Sequence, residues 1–274
     1  MPVSEKAAIQ VISSELEKIF TEPLRIFYDR SRLGAGALGG RARLSDIIQT
    51  GGRKGPMSQA VGFISSTLGK KILMAVTGII LFGFVVGHML GNLQIYLGPE
   101  RLNHYAHLLQ ANIPFLWTFR SVMLFCVSVH IWAAVMVWLR NRAARPVKYR
   151  RFNPPGLDYA ARTMVWSGPI LALFIFYHLL DFTVGTANPD FVRGEVYHNV
   201  VASFSNPLIA LVYIAANLLL AFHLYHGLWS LFQTFGWDHP RYGWLRRVPA
   251  VFFSVLLGAG NISIPLAVLT GVVK

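Results

Sequence analysis

Nine histidines occur in the chain, and four of them, His88, His130, His178 and His223, fall deep inside long uncharged stretches. His226 follows one helical turn beyond His223. A polar side chain at that depth is expensive in lipid, so it normally faces the interior of a helix bundle and serves a function. Neutral imidazole is a good iron ligand, and bundles hold cofactors between side chains that face each other across the core. The one cysteine, Cys126, lies in an apolar stretch. It cannot close an intrachain disulfide, and the chain has neither a CxxCH motif for covalent haem nor a cysteine set for an iron–sulfur cluster. Any haem is therefore held noncovalently, and any cluster belongs to another subunit.

The elements that must position these imidazoles follow from the distribution of charge. The composition is 54% hydrophobic and 14% charged, against about a quarter charged in ordinary soluble domains. No charged side chain occurs in 72–99, 102–119, 121–139, 163–180, 196–237 or 248–273. A hydrocarbon core about 30 Å thick needs about 20 apolar residues in a helix. Trimmed at their loop signals, the stretches predict an all-α membrane protein, a bundle of five transmembrane helices at 71–97, 115–140, 162–186, 207–235 and 249–273.

The formal net charge of +13 is placed for a membrane rather than for nucleic acid. Arg140, Arg142, Arg145, Lys148, Arg150, Arg151 and Arg162 crowd the connection between the second and third spans. Arg241, Arg246 and Arg247 precede the fifth span, and Lys70 and Lys71 the first. Of Lys and Arg, the other two connections carry only Arg101 and Arg193. Basic loops stay cytoplasmic, so the expected topology has the N-terminus inside, the C-terminus outside and five crossings of a cytoplasmic (inner) membrane.

Two domains are expected. Residues 1–66 form a cytoplasmic extension, with an amphipathic helix near 5–28 and a basic Gly-rich linker at 32–43. It is not a signal peptide, because Glu5, Glu15, Glu17 and Glu22 interrupt it and no early apolar core appears. Residues 67–274 form the five-helix domain. The connection 187–206 is expected to hold a short helix, 98–114 is read as a loop, and Pro146, Pro154 and Pro155 favour an extended path through 141–161.

Counting from the predicted inner ends places His88 and His178 in the outer half of the bilayer, 88 − 71 = 17 and 178 − 162 = 16 residues along. His130 and His223 come out in the inner half, 140 − 130 = 10 and 235 − 223 = 12 residues from their inner ends. The two layers then differ in depth by about 8 Å. Two pairs at two depths match two stacked bis-histidine haems, with His88 and His178 on the outer and His130 and His223 on the inner. A single intramembrane histidine more often makes a helix–helix hydrogen bond; four on four helices, paired by depth, favour haem. Gly83, Gly87 and Gly91 bracket His88 on one face and would admit a flat macrocycle, although close helix packing uses the same pattern.

These residues carry a resemblance. KILMAVTG at 71–78, GHMLGNL at 87–93, NHYAH at 103–107, ARP at 144–146, YHLL at 177–180 and HLYHGLWS at 223–230 together resemble the five-helix, di-haem cytochrome b anchor of succinate:quinone oxidoreductases (succinate dehydrogenase, complex II, and fumarate reductase). The likeness covers roughly 66–273 and is specific only as a set. It implies two haem b groups ligated by His88, His130, His178 and His223, and a quinone, menaquinone by family. It also implies an FAD-bearing flavoprotein and an iron–sulfur subunit docked on the cytoplasmic face. Electrons would pass from succinate through the clusters to quinone, or in reverse to fumarate.

Asp181, one turn beyond His178, departs from the family pattern; a proton relay or a structural pairing with an arginine or a propionate partner would account for it, the latter being favoured. Quinone reduction takes up two protons, so a quinone pocket needs titratable groups near a water-accessible edge. The candidates are His104, Tyr105, His107 and Asp181 on the outer side, and Lys70, His226, Trp229 and Ser230 on the inner. An interfacial aromatic, a helix cap or a propionate contact explains each equally well. Arg120 suits a propionate or a snorkelling role. Two rivals stand beside this reading: a di-haem cytochrome b of another dehydrogenase, and a haemless transporter or scaffold. The absence of paired discontinuous-helix signals speaks against the transporter.

Overall fold

The computed structural model describes residues 62–144, 159–237 and 239–274. Both N-terminal features, the 5–28 helix and the 32–43 linker, lie outside them, as do Pro146, Pro154 and Pro155. The described residues form helices joined by short turns, with no strand among them. In chain order they are α1 (Thr67–Asn92), a 3₁₀ turn (Leu93–Leu97), α2 (Pro99–Ala111), α3 (Ile113–Ala143) and α4 (Tyr159–Leu179). A π turn (Leu180–Val184), α5 (Val196–Phe204), α6 (Pro207–Thr234), a 3₁₀ turn (Pro240–Tyr242) and α7 (Gly243–Leu269) complete the order.

Five of these segments are long and apolar enough to cross a membrane: Thr67–Leu97, Ile113–Ala143, Tyr159–Val184, Pro207–Thr234 and Gly243–Leu269. Their outward faces carry Phe125, Phe176 and Leu173 at 67%, 65% and 71% exposure. A continuous apolar surface of this kind is tolerable only where lipid is the solvent. Several small hydroxyls on the spans are satisfied within their own helices. Thr77 donates to the Met74 carbonyl, Thr163 to Ala160, Ser254 to Val251 and Ser263 to Gly260.

The spans depart from the expected ones mainly at their ends. The fifth begins at Gly243 rather than 249, taking Arg246 and Arg247 into its first turns. The connection expected as a loop at 98–114 is largely α2, which starts with Pro99 in its first turn after Gly98, whose φ is 96°. The short helix expected in 187–206 is α5.

The described residues divide between two compact units, 62–73 with 132–144 in one and 74–131 with 159–237 and 239–274 in the other. In the first, the Ser66 hydroxyl accepts from the Gly69 N–H at 2.9 Å and caps the start of α1. Lys70 is 1% exposed; its ammonium donates to the carbonyls of Ser65 at 2.6 Å and Ile64 at 3.4 Å and lies 5.6 Å from the Trp132 ring.

In the second unit α6 packs along both α4 and α7. A Cβ at Gly258 of α7 would stand 3.0 Å from the Ala221 Cβ of α6, so small residues set that approach. Asn206 caps α6 by accepting from the Leu208 N–H at 3.0 Å, with Pro207 at the first helical position. At one end a cluster that includes Ile95, Leu102, Phe204, Tyr213, Ile264 and Val268 joins α2, α5, α6 and α7.

Candidate functional site

The four intramembrane histidines sit in the second unit and come together as two pairs. The rings of His88 (α1) and His178 (α4) have centroids 5.7 Å apart at an interplanar angle of 89°. Those of His130 (α3) and His223 (α6) are 6.3 Å apart at 54°. All four are partly buried.

The separation of the pairs can be read along two helices. Residues 74–78 of α1 border His130. Its Nδ1 lies 3.0 Å from the Met74 carbonyl oxygen and 3.2 Å from Thr77 Oγ1, and a Cβ at Gly78 would meet its Cε1 at 3.3 Å. From Gly78 to His88 is 88 − 78 = 10 residues. On α6, Tyr213 borders His178 and is 223 − 213 = 10 residues before His223. Either helix gives about 15 Å at 1.5 Å per residue, in place of the roughly 8 Å expected from predicted helix ends.

Each imidazole has its own surroundings. His130 Nδ1 donates its proton to the Met74 carbonyl; with the proton held there, Nε2 keeps its lone pair. His178 has its Nδ1 3.4 Å from the Tyr213 hydroxyl and is packed by Phe174 and Phe182, with ring centroids at 5.9 and 5.5 Å. His88 stacks on Phe84 at 5.3 Å, and its Nε2 accepts from the Asn92 side-chain amide at 3.2 Å. His223 Nδ1 is buried with no hydrogen-bond partner among the described residues.

The donor set suits a metal that arrives with most of its ligands. Two imidazoles on opposite sides of one iron, each nitrogen about 2 Å from it, place ring centroids about 6 Å apart, and both pairs fall at that spacing. A haem needs only two ligands from the protein. Gly83 and Gly87 have nothing within 4 Å of a Cβ, leaving open space beside His88. Gly91 differs: a Cβ there would meet the Tyr105 ring at 2.7 Å, so it serves helix packing. The Asn92 contact must be released for His88 Nε2 to bind a metal.

The remaining expected residues scatter. Asp181 is fully buried in the π turn, and its Oδ2 accepts from Tyr213 at 2.8 Å and from Ser203 at 2.9 Å. These are its hydrogen-bond partners among the described residues. His104 and His107 are exposed on α2, and Tyr105 lies over Gly91. His226, Trp229 and Ser230 are half-buried on α6, with the Arg246 guanidinium 5.8 Å from the Trp229 ring. Lys70 is engaged by Ser65 and Ile64. Arg120 is exposed, 5.4 Å from the Trp117 ring, as suits an interfacial side chain. Met74, Thr77, Asn92, Ser203 and Tyr213 have no place among the expected site residues. Asn92 alone had a local signal, being one turn beyond His88. Comparison with protein-family models, with curated proteins and with solved structures found no match for this chain.

Proposed function

We propose that this chain is a membrane-embedded di-haem cytochrome b, the anchor and electron-transfer subunit of a succinate:quinone oxidoreductase. The observation that supports it most is the pair of facing imidazole couples, 5.7 and 6.3 Å between centroids, on four different spans. Haem b, when bound, supplies a one-electron carrier whose iron alternates between ferric and ferrous. His88 with His178, and His130 with His223, would each hold one haem iron.

The chain's own residues then have defined tasks. The Met74 carbonyl holds the His130 proton on Nδ1 and so selects the nitrogen left for iron. Phe84 stacks on His88, and Phe174 and Phe182 pack on His178, giving the rings apolar surroundings. The apolar spans supply the low-dielectric setting that tunes potential. The partners, a flavoprotein and an iron–sulfur subunit, and the quinone, menaquinone by family, rest on the sequence resemblance alone. The inner-membrane location and the inside N-terminus rest on the placement of the basic residues.

The deciding experiment is the pyridine haemochrome of the purified complex, with its reduced-minus-oxidised spectrum. About two b haems per chain would uphold the reading, and none in an intact preparation would overturn it. A copurifying subunit with covalent flavin supports the succinate assignment; a nickel or molybdenum subunit moves the chain to another dehydrogenase.

A further inference from the structure

Beyond His178 lies a buried polar chain that ligation alone leaves unexplained. The Tyr213 hydroxyl donates to Asp181 Oδ2 at 2.8 Å. The same oxygen stands 3.4 Å from His178 Nδ1. A phenol has one proton, so with that proton on Asp181 the Tyr213 oxygen faces His178 as an acceptor, and Nδ1 must be the protonated ring nitrogen. Ser203 adds a second donor to Oδ2 at 2.9 Å, which keeps the carboxyl group turned towards Tyr213. Asp181 Oδ1 is buried with no partner among the described residues.

Burying a carboxyl group at zero exposure in a span is costly. Helix stability does not require it. The π turn that carries Asp181 closes through backbone bonds, the N–H groups of Gly185 and Ala187 both meeting the Leu180 carbonyl. The other pair has a simpler arrangement, in which a neutral backbone carbonyl receives the His130 proton.

We infer that Tyr213 and Asp181 are positioning residues for His178: through the Asp181–Tyr213–His178 hydrogen-bond chain they fix its tautomer and raise its donor strength, setting the potential of one haem apart from the other. The inference rests on the di-haem reading. Hydrogen bonding of a ligand's outer N–H to a polarised acceptor makes the imidazole more basic, and losing such a partner typically changes metal affinity 10- to 100-fold. A more basic ligand favours ferric over ferrous iron.

The test is a potentiometric titration of the intact complex carrying Tyr213→Phe or the isosteric Asp181→Asn. A tenfold loss of ferric preference raises the one-electron midpoint potential by about 59 mV. An upward shift of that size is expected for one haem, the other staying at its wild-type value. Ser203→Ala, which leaves Tyr213 on both partners, should shift it less. Two haems with unchanged potentials in both main variants would overturn the inference and leave the di-haem reading standing. Loss of haem from both variants would overturn it too, assigning these side chains to packing. Absence of haem from the wild-type complex would defeat the di-haem reading itself.

Discussion

The pairing of the histidines makes a quantitative demand on four alanine variants and their combinations. His88 and His178 touch across the bundle at 5.7 Å between centroids, and His130 and His223 at 6.3 Å. Between the pairs lie about ten residues of either α1 or α6, or about 15 Å. Side chains in contact couple strongly, whereas sites more than about 7–10 Å apart act independently to within about 0.5 kcal/mol. Each single variant, His88→Ala, His130→Ala, His178→Ala or His223→Ala, should therefore lower the haem content from about two per chain to about one. His88→Ala with His178→Ala should still hold about one, because the second change removes a ligand from a site already lost. His88→Ala with His223→Ala should hold none. His226→Ala, one turn from His223, should hold both. The assay is pyridine haemochrome per chain, with redox titration to identify the haem that remains. If His88→Ala and His130→Ala lost the haem of the same potential, or the cross-pair double variant kept one, the pairing would be refuted.

Three further outcomes follow from close contacts. Gly78→Val puts bulk where a Cβ already stands 3.3 Å from His130 Cε1; it should deplete the haem of the His130–His223 pair alone, read by the same titration. Gly185→Ala places a side chain at φ 86° and into the Phe191 ring, adding left-handed strain to overpacking. It should cost roughly 2–4 kcal/mol of unfolding stability in detergent, and a variant within 0.5 kcal/mol of wild type would contradict that packing. Asn103→Ala removes a bond donated to Glu195 Oε2 at 2.6 Å and one accepted from the Tyr197 N–H at 2.9 Å, the bond that caps α5 from α2. A loss of about 1–2 kcal/mol is expected, with faster amide hydrogen exchange in the first turn of α5 than in α6.

How much was legible in the sequence depended on whether the physics was local. The five spans were visible because lipid penalises charge along a whole helix. The errors fell where that penalty fades. Arg246 and Arg247 lie inside α7 rather than in the loop expected there; near a membrane surface such a side chain can lay its stem along apolar surface and reach out with its head, as exposed Arg247 can, whereas the Arg246 guanidinium lies 5.8 Å from the Trp229 ring. The α2 helix was missed because a short polar helix outside the bilayer lacks a span's composition, although Gly98–Pro99–Glu100 was a start signal. The histidine couples were recoverable from counting, since membrane depth is one coordinate that sequence position carries directly. Their partners were not. Tyr213 and Ser203 reach Asp181 from α6 and α5, and the rotation of one helix about its axis relative to another leaves no trace in residue spacing.

The two couples share an asymmetry with a physical reason. In each, one imidazole is held through Nδ1 by another span: His130 by the Met74 carbonyl of α1, and His178 by the Tyr213 hydroxyl of α6. Its opposite number has no such anchor from another span, for His223 Nδ1 is unpartnered among the described residues and His88 hydrogen-bonds Asn92 on its own helix. If both rings were rigidly anchored, two helices would have to be placed to within a few tenths of an ångström before a metal could bind. If haem binds as proposed, the anchored ring would define the tautomer and the plane, and the freer ring would adjust to it. On this view the anchored residues set the potentials and the freer ones set the ease of loading. Changes at Tyr213 should accordingly move a midpoint potential, whereas Asn92→Ala, which releases His88 Nε2, should speed haem uptake and leave the potential where it was.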